Sequence, residues 1–424
     1  MSNGDRSFDL IVVGAGPAGI AAACSAAESG IHAAIVDNSP GPGGQIWRGE
    51  SRTQNSREAA SWYKRLITSG VDILTATEVF DQREAGKISA ESANNLCQLS
   101  YKKLIICTGA RERFLPFPGW TLPNVIGAGG LQALVKSGLA VSGQKIVIAG
   151  SGPLLLAVAA YLTEHGADVR VIGEQAPWSR LARFSFSLVF QGRKVLQSFQ
   201  LRRQLSGISY RAGCWVVEAE GNGRIESVTL RSGAKTWKEP CDYLACGFHL
   251  VPNTELAALL GCERRAGFVR VNNFQESSIA GIYCAGEPAG IGGLELSLVE
   301  GQIAGYAAAG QREKAQKYFG ERRRLRRFAD ALQRTFALRN ELSTLPGSET
   351  IVCRCEDVSF GRLREYSSWR AAKLQTRCGM GPCQGRICGP AVEFLFGWKT
   401  EFVRPPIFPV AAEMLAGGTG AERN

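Results

Sequence analysis

The sequence predicts an α/β chain in which two successive βαβ units with glycine-rich turns precede a small C-terminal cysteine-rich module. Three observations carry this expectation. A continuous apolar run, Phe8–Val13, leads into Gly14-Ala-Gly16-Pro-Ala-Gly19 and a small-residue stretch. The arrangement returns at Lys145–Ala149, followed by Gly150-Ser-Gly152-Pro. Five cysteines, Cys353, Cys355, Cys378, Cys383 and Cys388, crowd together beyond Pro346-Gly347.

Taken in order, Phe8–Val13 reads as a continuous apolar strand. Pro17–Ser29 reads as a helix and Ala33–Val36 as the next strand, ending at Asp37. Pro40–Gly44 is a loop, a polar helical stretch runs through Ser69, and Leu104–Cys107 is another buried strand broken by Thr108-Gly109. The second unit comprises strand Lys145–Ala149, helix Leu154–His165 and strand Asp168–Ile172. Arg180 to Gly213 reads as polar and irregular, and strand-rich sequence follows to Cys246. Gly281–Gly286 is a short strand entering a glycine-rich turn, and a helix is expected over Leu294–Ala309, followed by a basic amphipathic stretch.

Each glycine of the first turn has a physical task. Gly14 allows the tight turn, Gly16 admits a pyrophosphate to the backbone, and Gly19 lets helix and strand pack closely. The helix start then offers free N–H groups and the positive end of its dipole to phosphate. Asp37 is placed to accept hydrogen bonds from an adenosine ribose. The second turn departs from this pattern, since its third glycine position is Leu155. A leucine there either pushes helix and strand apart or fills the space of a nicotinamide dinucleotide. Glu174 holds the acid position, with no arginine immediately after it for a 2′-phosphate. A working nicotinamide site and a retained scaffold both remain open, the scaffold being preferred.

With 45% hydrophobic and 21% charged residues, the composition is that of a globular protein. The opening MSNGDRSF leads straight into a strand, and no apolar segment reaches bilayer length. A cytoplasmic chain without a membrane span is expected, peripheral to the inner membrane only through its electron acceptor. The net charge of +11 gathers around Arg180–Arg211 and Arg312–Arg327 without the aromatic interleaving of a base-stacking surface. That argues against nucleic acid and for a solvated or partner-facing surface, with Arg312–Arg339 as a docking element. Eight of the thirteen cysteines stand singly and are expected in the core: Cys24, Cys97, Cys107, Cys214, Cys241, Cys246, Cys262 and Cys284. Of three histidines, His32 and His165 read as surface residues, and His249 as a loop residue near the domain junction, with cavity lining as its lesser alternative. No catalytic residue is assigned.

From Asp9 to about Gly310 the chain resembles the two-dinucleotide-domain flavoproteins that include thioredoxin reductase. The marks are the first glycine turn, Gly43-Gly44-Gln45, Cys107-Thr108-Gly109-Ala110 and Gly281-Ile-Tyr-Cys-Ala-Gly286-Glu287. The reductase's C-x-x-C dithiol is missing from Asn124–Gly138, so disulfide reduction is not expected. Longer strings include Pro116-Phe-Pro-Gly-Trp120, Gly290-Ile-Gly-Gly293, Cys353-Arg-Cys355-Glu and Gly379-Met-Gly-Pro-Cys383-Gln-Gly-Arg-Ile-Cys388. With these the chain resembles the alpha (A) subunits of multi-subunit flavin dehydrogenases acting on opines, D-hydroxyproline or proline, and one component of hydrogen cyanide synthase.

That resemblance implies FAD held by Gly14, Gly16, Pro17, Ala18, Gly19, Asp37, Gly43, Gly44, Gln45, Thr108, Gly109, Gly286 and Glu287. In the superfamily the acid at Glu287 approaches the flavin ribitol, and Gly43–Gln45 runs beside the isoalloxazine. It implies a discontinuous FAD domain over 1–122 and 250–310, a degenerate nicotinamide-type domain over 123–249, a basic linker over 311–349, and a ferredoxin-like module with tail over 350–424. A D-amino-acid-oxidase-like beta subunit would oxidise substrate. FMN at an interface between subunits and a small ferredoxin-like gamma subunit would be further components.

Thiolates are the preferred ligands of iron–sulfur clusters, and a 2Fe-2S centre needs four. The module resembles bacterioferritin-associated ferredoxin, which points to Cys353, Cys355, Cys383 and Cys388, with Cys378 packing nearby. The spacing of the second pair departs from the C-x-x-C of that module, and structural zinc is the chemical competitor. Three functions follow as hypotheses: an electron-transfer subunit with flavin and 2Fe-2S cluster, an NAD(P)H-dependent reductase, and a structural nucleotide-binding subunit.

Overall fold

The computed structural model describes residues 6–49, 56–93, 95–188, 205–399 and 403–416. The chain divides into two compact units, one of Met1–Arg111, Pro252–Ala329 and Phe402–Asn424, the other of Glu112–Val251 and Asp330–Glu401.

In the first unit, strands Asp72–Leu74, Ala33–Val36, Arg6–Val13, Asn95–Ile106 and Ile282–Cys284 lie side by side and parallel. The antiparallel strands Lys87–Ser92 and Thr77–Glu84 extend the sheet. The continuous apolar run of Arg6–Val13 is buried on both faces: Leu10 and Val12 join one apolar cluster, Ile11 and Val13 another. Helix Pro17–Ala27 crosses helix Gly293–Ala308 on small residues, so closely that a Cβ on Gly301 would strike the Ala18 carbonyl. Ile407 is buried against this sheet, and its N–H donates to Phe80 O at 2.8 Å.

The second unit repeats the theme. Its parallel sheet runs Ser209–Ala212, Asp168–Glu174, Lys145–Ser151, Tyr243–Phe248 and Val125–Gly127. A three-stranded antiparallel sheet accompanies it, formed by Cys214–Glu220, Ser227–Ser232 and Lys235–Pro240. The cysteine module adds the strand pair Ile351–Cys353 and Val358–Ser359 and helices Phe360–Leu363, Trp369–Thr376 and Cys388–Phe396.

The segment read as irregular is corrected at both ends. Trp178–Leu188 is a helix and Ser209–Ala212 a strand, while 189–204, with part of the expected basic patch, lies outside the described residues. The strand is held by backbone pairing to Asp168–Glu174, which side-chain pattern does not announce. The basic stretch contains two helices, Arg312–Gln316 and Phe319–Thr335. No helix among the described residues is long and apolar enough to cross a membrane.

Candidate functional site

The first glycine turn sits where Arg6–Val13 passes into helix Pro17–Ala27. Gly14 has φ +107°, and a Cβ there would strike the Cys107 carbonyl; one on Gly19 would strike the Gly14 carbonyl. Gly16 differs, for its Cβ position meets only Gly44 Cα at 4.0 Å, leaving the approach to the helix start open. No side chain caps that helix, so its first N–H groups can meet an anion. The Asp37 carboxylate accepts from Ala15 N at 2.5 Å and Ser39 N at 2.8 Å, tying the turn to the end of Ala33–Val36.

Of the other expected flavin residues, Gly43 and Gly44 pack against this turn, while Gln45 is exposed. Gly43 N donates to Ala15 O at 2.7 Å, and a Cβ on Gly44 would lie 2.9 Å from Gly16 Cα. Tyr63, which the sequence did not single out, braces this loop by donating to Pro42 O and Trp47 O at 3.0 and 3.1 Å. Thr108 and Gly109 are fixed by Asn253, whose Nδ2 donates to Thr108 O at 2.8 Å and whose N–H donates to Gly109 O at 3.0 Å. Gly286 abuts Ala18, since its Cβ position lies 2.8 Å from Ala18 Cβ.

Glu287 accepts from Gly293 N at 3.1 Å through one carboxyl oxygen, while the other is buried without a partner. Burial pushes its carboxyl up to about 7 against the opposing N–H groups of Gly293 and Gly292. A raised folded value means that the stabilising contribution is complete below pH 4.5, the ordinary value, and is lost as pH rises through about 7. In the flavin-free chain, Glu287→Gln is therefore expected to unfold like the wild type near pH 4.5 and at a higher temperature near pH 8. Equal unfolding midpoints at both ends of that range would contradict the burial of this carboxyl.

The second glycine turn is filled by the chain itself. Phe336 O accepts from Ser151 Oγ at 2.8 Å, His249 Nε2 at 2.5 Å and Gln175 Nε2 at 3.1 Å. Gln175 Oε1 in turn accepts from Arg339 N at 3.0 Å, and the Arg339 guanidinium lies 3.6 Å from the centre of the Trp215 ring. Glu174 mirrors Asp37: it accepts from Gly152 N at 2.7 Å and Ala176 N at 2.8 Å, and burial pushes it up to about 7. Leu155 takes neither role expected of it. It is core, packed on Gly247, which lacks the side chain that would oppose it. His249 does face this space, but as a donor held at φ +69°, its imidazole pushed down by burial.

His32 and His165 are exposed, with contacts to Asp72 and the Tyr161 carbonyl. Seven of the eight single cysteines are buried and Cys97 is partly so. Within Asn124–Gly138, Gly129 N and Gly130 N donate to Glu112 at 2.7 and 2.9 Å, closing the start of helix Ala128–Lys136 with a carboxylate.

In the cysteine module, Cys353, Cys355, Cys383 and Cys388 line one cavity of ≈ 200 Å³ together with Phe114, Trp120, Arg354 and Ile387. The Sγ atoms of Cys353, Cys378 and Cys388 lie within 4.8 Å of one another. Thiol donors hold Cys353 and Cys383 down, the latter at about 5, while Cys378 is pushed up. Five thiols thus form two overlapping sets that share Cys353 and Cys388, with Cys378 outside the cavity lining and Cys355 exposed.

The pyridine nucleotide-disulphide oxidoreductase model matches residues 8–311, a span that contains both glycine turns. The chain belongs to the pyridine nucleotide-disulphide oxidoreductase family. It is 32% identical over 420 residues to hydrogen cyanide synthase subunit HcnB of Pseudomonas aeruginosa, covering 89% of this chain and 90% of that one. It is 31% identical over 450 residues to an opine oxidase subunit of Rhizobium meliloti, covering 95% and 97%. Among solved structures, L-proline dehydrogenase from P. horikoshii matches 97% of this chain and 80% of its own at 19% identity with a TM-score of 0.71. T. acidophilum thioredoxin reductase matches 74% and 99% at 20% identity with a TM-score of 0.53. These two likenesses confirm the expected fold. This oxidoreductase is thus a member of a flavin-dependent enzyme family, which implies FAD.

Proposed function

We propose that this chain is the electron-transfer subunit of a multi-subunit flavin dehydrogenase, with FAD at the first glycine turn and a 2Fe-2S cluster on Cys353, Cys355, Cys383 and Cys388. The observation that carries the reading is the cavity those four thiols line. Four converging thiols suit iron–sulfur chemistry, and a purely structural metal would carry no electrons from a flavin. The first turn fits FAD by two features: the open space over Gly16 and the unpartnered buried oxygen of Glu287. When bound there, FAD supplies two-electron chemistry that can be drawn off one electron at a time. Gly14–Gly19 would hold its pyrophosphate, Asp37 its adenosine ribose, and Gly43–Gln45, Thr108, Gly109, Gly286 and Glu287 its flavin half.

The filled second turn favours this role over that of an NAD(P)H-dependent reductase. The side chains around that turn, where a dinucleotide would approach, already hold Phe336 and Arg339. Substrate oxidation then falls to a D-amino-acid-oxidase-like beta subunit whose substrate is an amino or imino acid of the D-hydroxyproline or opine type. The proposal is completed by FMN at an interface between subunits, a small ferredoxin-like gamma subunit, and a cytoplasmic location.

The partner-facing surface is narrower than the whole basic stretch. Arg322 donates to Asn273 O and Oδ1 at 2.8 and 2.9 Å, and Arg326 pairs with Glu300, whereas Arg323, Arg324 and Arg327 are exposed. Reversing those three charges is expected to lower recovery of the partner subunit in pull-down from the native complex. Anaerobic NADH titration of the purified chain tests the central reading, with the flavin band expected to persist. Rapid bleaching would establish the reductase instead, and a chain without flavin absorbance would establish the structural role.

A further inference from the structure

Helix Gly293–Ala308 is built largely from small and apolar residues, and near its middle stands Glu300, a carboxylate with 0% exposure. A lone buried charge is costly and persists only when paired and hydrogen-bonded. Glu300 has both kinds of partner. One oxygen accepts from Gly286 N at 3.1 Å, and the other lies 2.6 Å from Arg326 Nη2. The same guanidinium reaches past the acid, with Nη1 donating to Ala289 O at 3.2 Å. A single ion pair therefore grips the turn Gly286–Gly290 at both ends. Its termini are backbone conformations that suit glycine, φ +76° at Gly286 and +154° at Gly290, and a Cβ on Gly290 would lie 2.6 Å from Arg326 Nη1.

Between those fixed ends stands Glu287, the acid with the unpartnered buried oxygen. Its backbone cannot turn without moving Gly286 N from Glu300 or Ala289 O from Arg326. We infer that Glu300 and Arg326 are a positioning pair that sets where the Glu287 carboxyl is presented to the flavin. The inference rests on the FAD reading above and concerns residues that need not touch the cofactor. Arg326 belongs to the basic helix Phe319–Thr335, so part of that helix's charge serves the flavin turn rather than a partner.

The test uses the full chain with Glu300→Gln, Arg326→Lys, Arg326→Met and the double variant Glu300→Gln/Arg326→Met. FAD affinity is read by fluorescence titration of the flavin-free chain, the flavin midpoint potential by spectroelectrochemistry, and stability by thermal unfolding without FAD. Glu300→Gln is expected to weaken FAD binding by about tenfold or more and to shift the potential, because the turn loses a charged hydrogen-bond partner. Arg326→Met is expected to do the same, and Arg326→Lys, which keeps the charge, to recover part of that loss. The double variant removes both charges and is expected to regain the unfolding midpoint without regaining affinity or potential. If it regains all three, or if folded Glu300→Gln and Arg326→Met bind FAD with wild-type affinity and potential, the pair is only structural and the inference fails. A wild-type chain that takes up no FAD would instead remove the flavin reading itself.

Discussion

Cys388→Ser is expected to yield chain holding less than about one-tenth of the wild-type iron and sulfide, whereas Cys378→Ser retains both. Cys388 is one of two thiols common to both arrangements in the module, buried where helix Cys388–Phe396 begins and lining the ≈ 200 Å³ cavity. Serine keeps the size and loses the soft, readily ionised donor that iron requires. Cys378 contacts Cys353 and Cys388 without lining that cavity, so it should act as a packing thiol. Metal and acid-labile sulfide analysis of the purified variants, with visible spectra, checks this. The opposite outcome, iron lost with Cys378→Ser and kept with Cys383→Ser, would transfer ligation to the set Cys353, Cys378 and Cys388. Zinc without sulfide in the wild type would end the iron–sulfur reading outright.

The ambiguity in the thiols shows what the sequence can and cannot reveal. Spacing put Cys353 and Cys355 together and left one thiol too many in the glycine loop, because ligand choice depends on where Sγ atoms point. The first nucleotide turn was legible because its geometry is local: strand, glycines, helix and Asp37 lie within about thirty consecutive residues, the scale of one βαβ unit. The braces of that site were not legible, since Tyr63, Asn253 and Arg326 arrive from distant chain. Glu300 did leave a signal, as an acid inside the small-residue stretch Leu294–Ala309, but pattern alone does not separate it from the exposed Glu295 five residues earlier. The hydrogen bonds of Arg322 to Asn273 were illegible for the same reason, since charge in sequence does not show where a guanidinium reaches.

The two nucleotide folds of this chain share an architecture and diverge in what fills them. Each ties its acid to its own glycine turn, Asp37 to Ala15 N and Glu174 to Gly152 N. The second turn then receives a peptide carbonyl with three donors. Leu155, which departs from the glycine pattern, is ordinary core, and the residue that meets the turn is Phe336, which nothing in the local pattern marks. Helix Trp178–Leu188 escaped notice for the same reason, because Phe184 finds its ring partner in Phe336, 5.8 Å away. Loss of nicotinamide chemistry is thus proposed to come from occupation of the site rather than from a broken fingerprint.

At the first turn, Gly16→Ala is expected to separate cofactor binding from folding. Gly16 lies at φ −73° and ψ −179°, extended backbone that alanine adopts freely, and its Cβ position has only Gly44 Cα nearby at 4.0 Å. The flavin-free variant should therefore be as stable as the wild type or gain about 0.4–1 kcal/mol through the restricted unfolded chain. The added methyl points into the open approach that a pyrophosphate needs, so FAD affinity is expected to fall by more than about tenfold, ~1.4 kcal/mol. Gly19→Ala should behave in the opposite way. Its Cβ strikes the Gly14 carbonyl, forcing helix from strand at a cost of about 1–3 kcal/mol in the flavin-free chain itself. Thermal unfolding without FAD and fluorescence titration with it distinguish the two variants. Wild-type FAD affinity in Gly16→Ala would place the pyrophosphate elsewhere, while a large loss of stability there would mean that the space over Gly16 is not open.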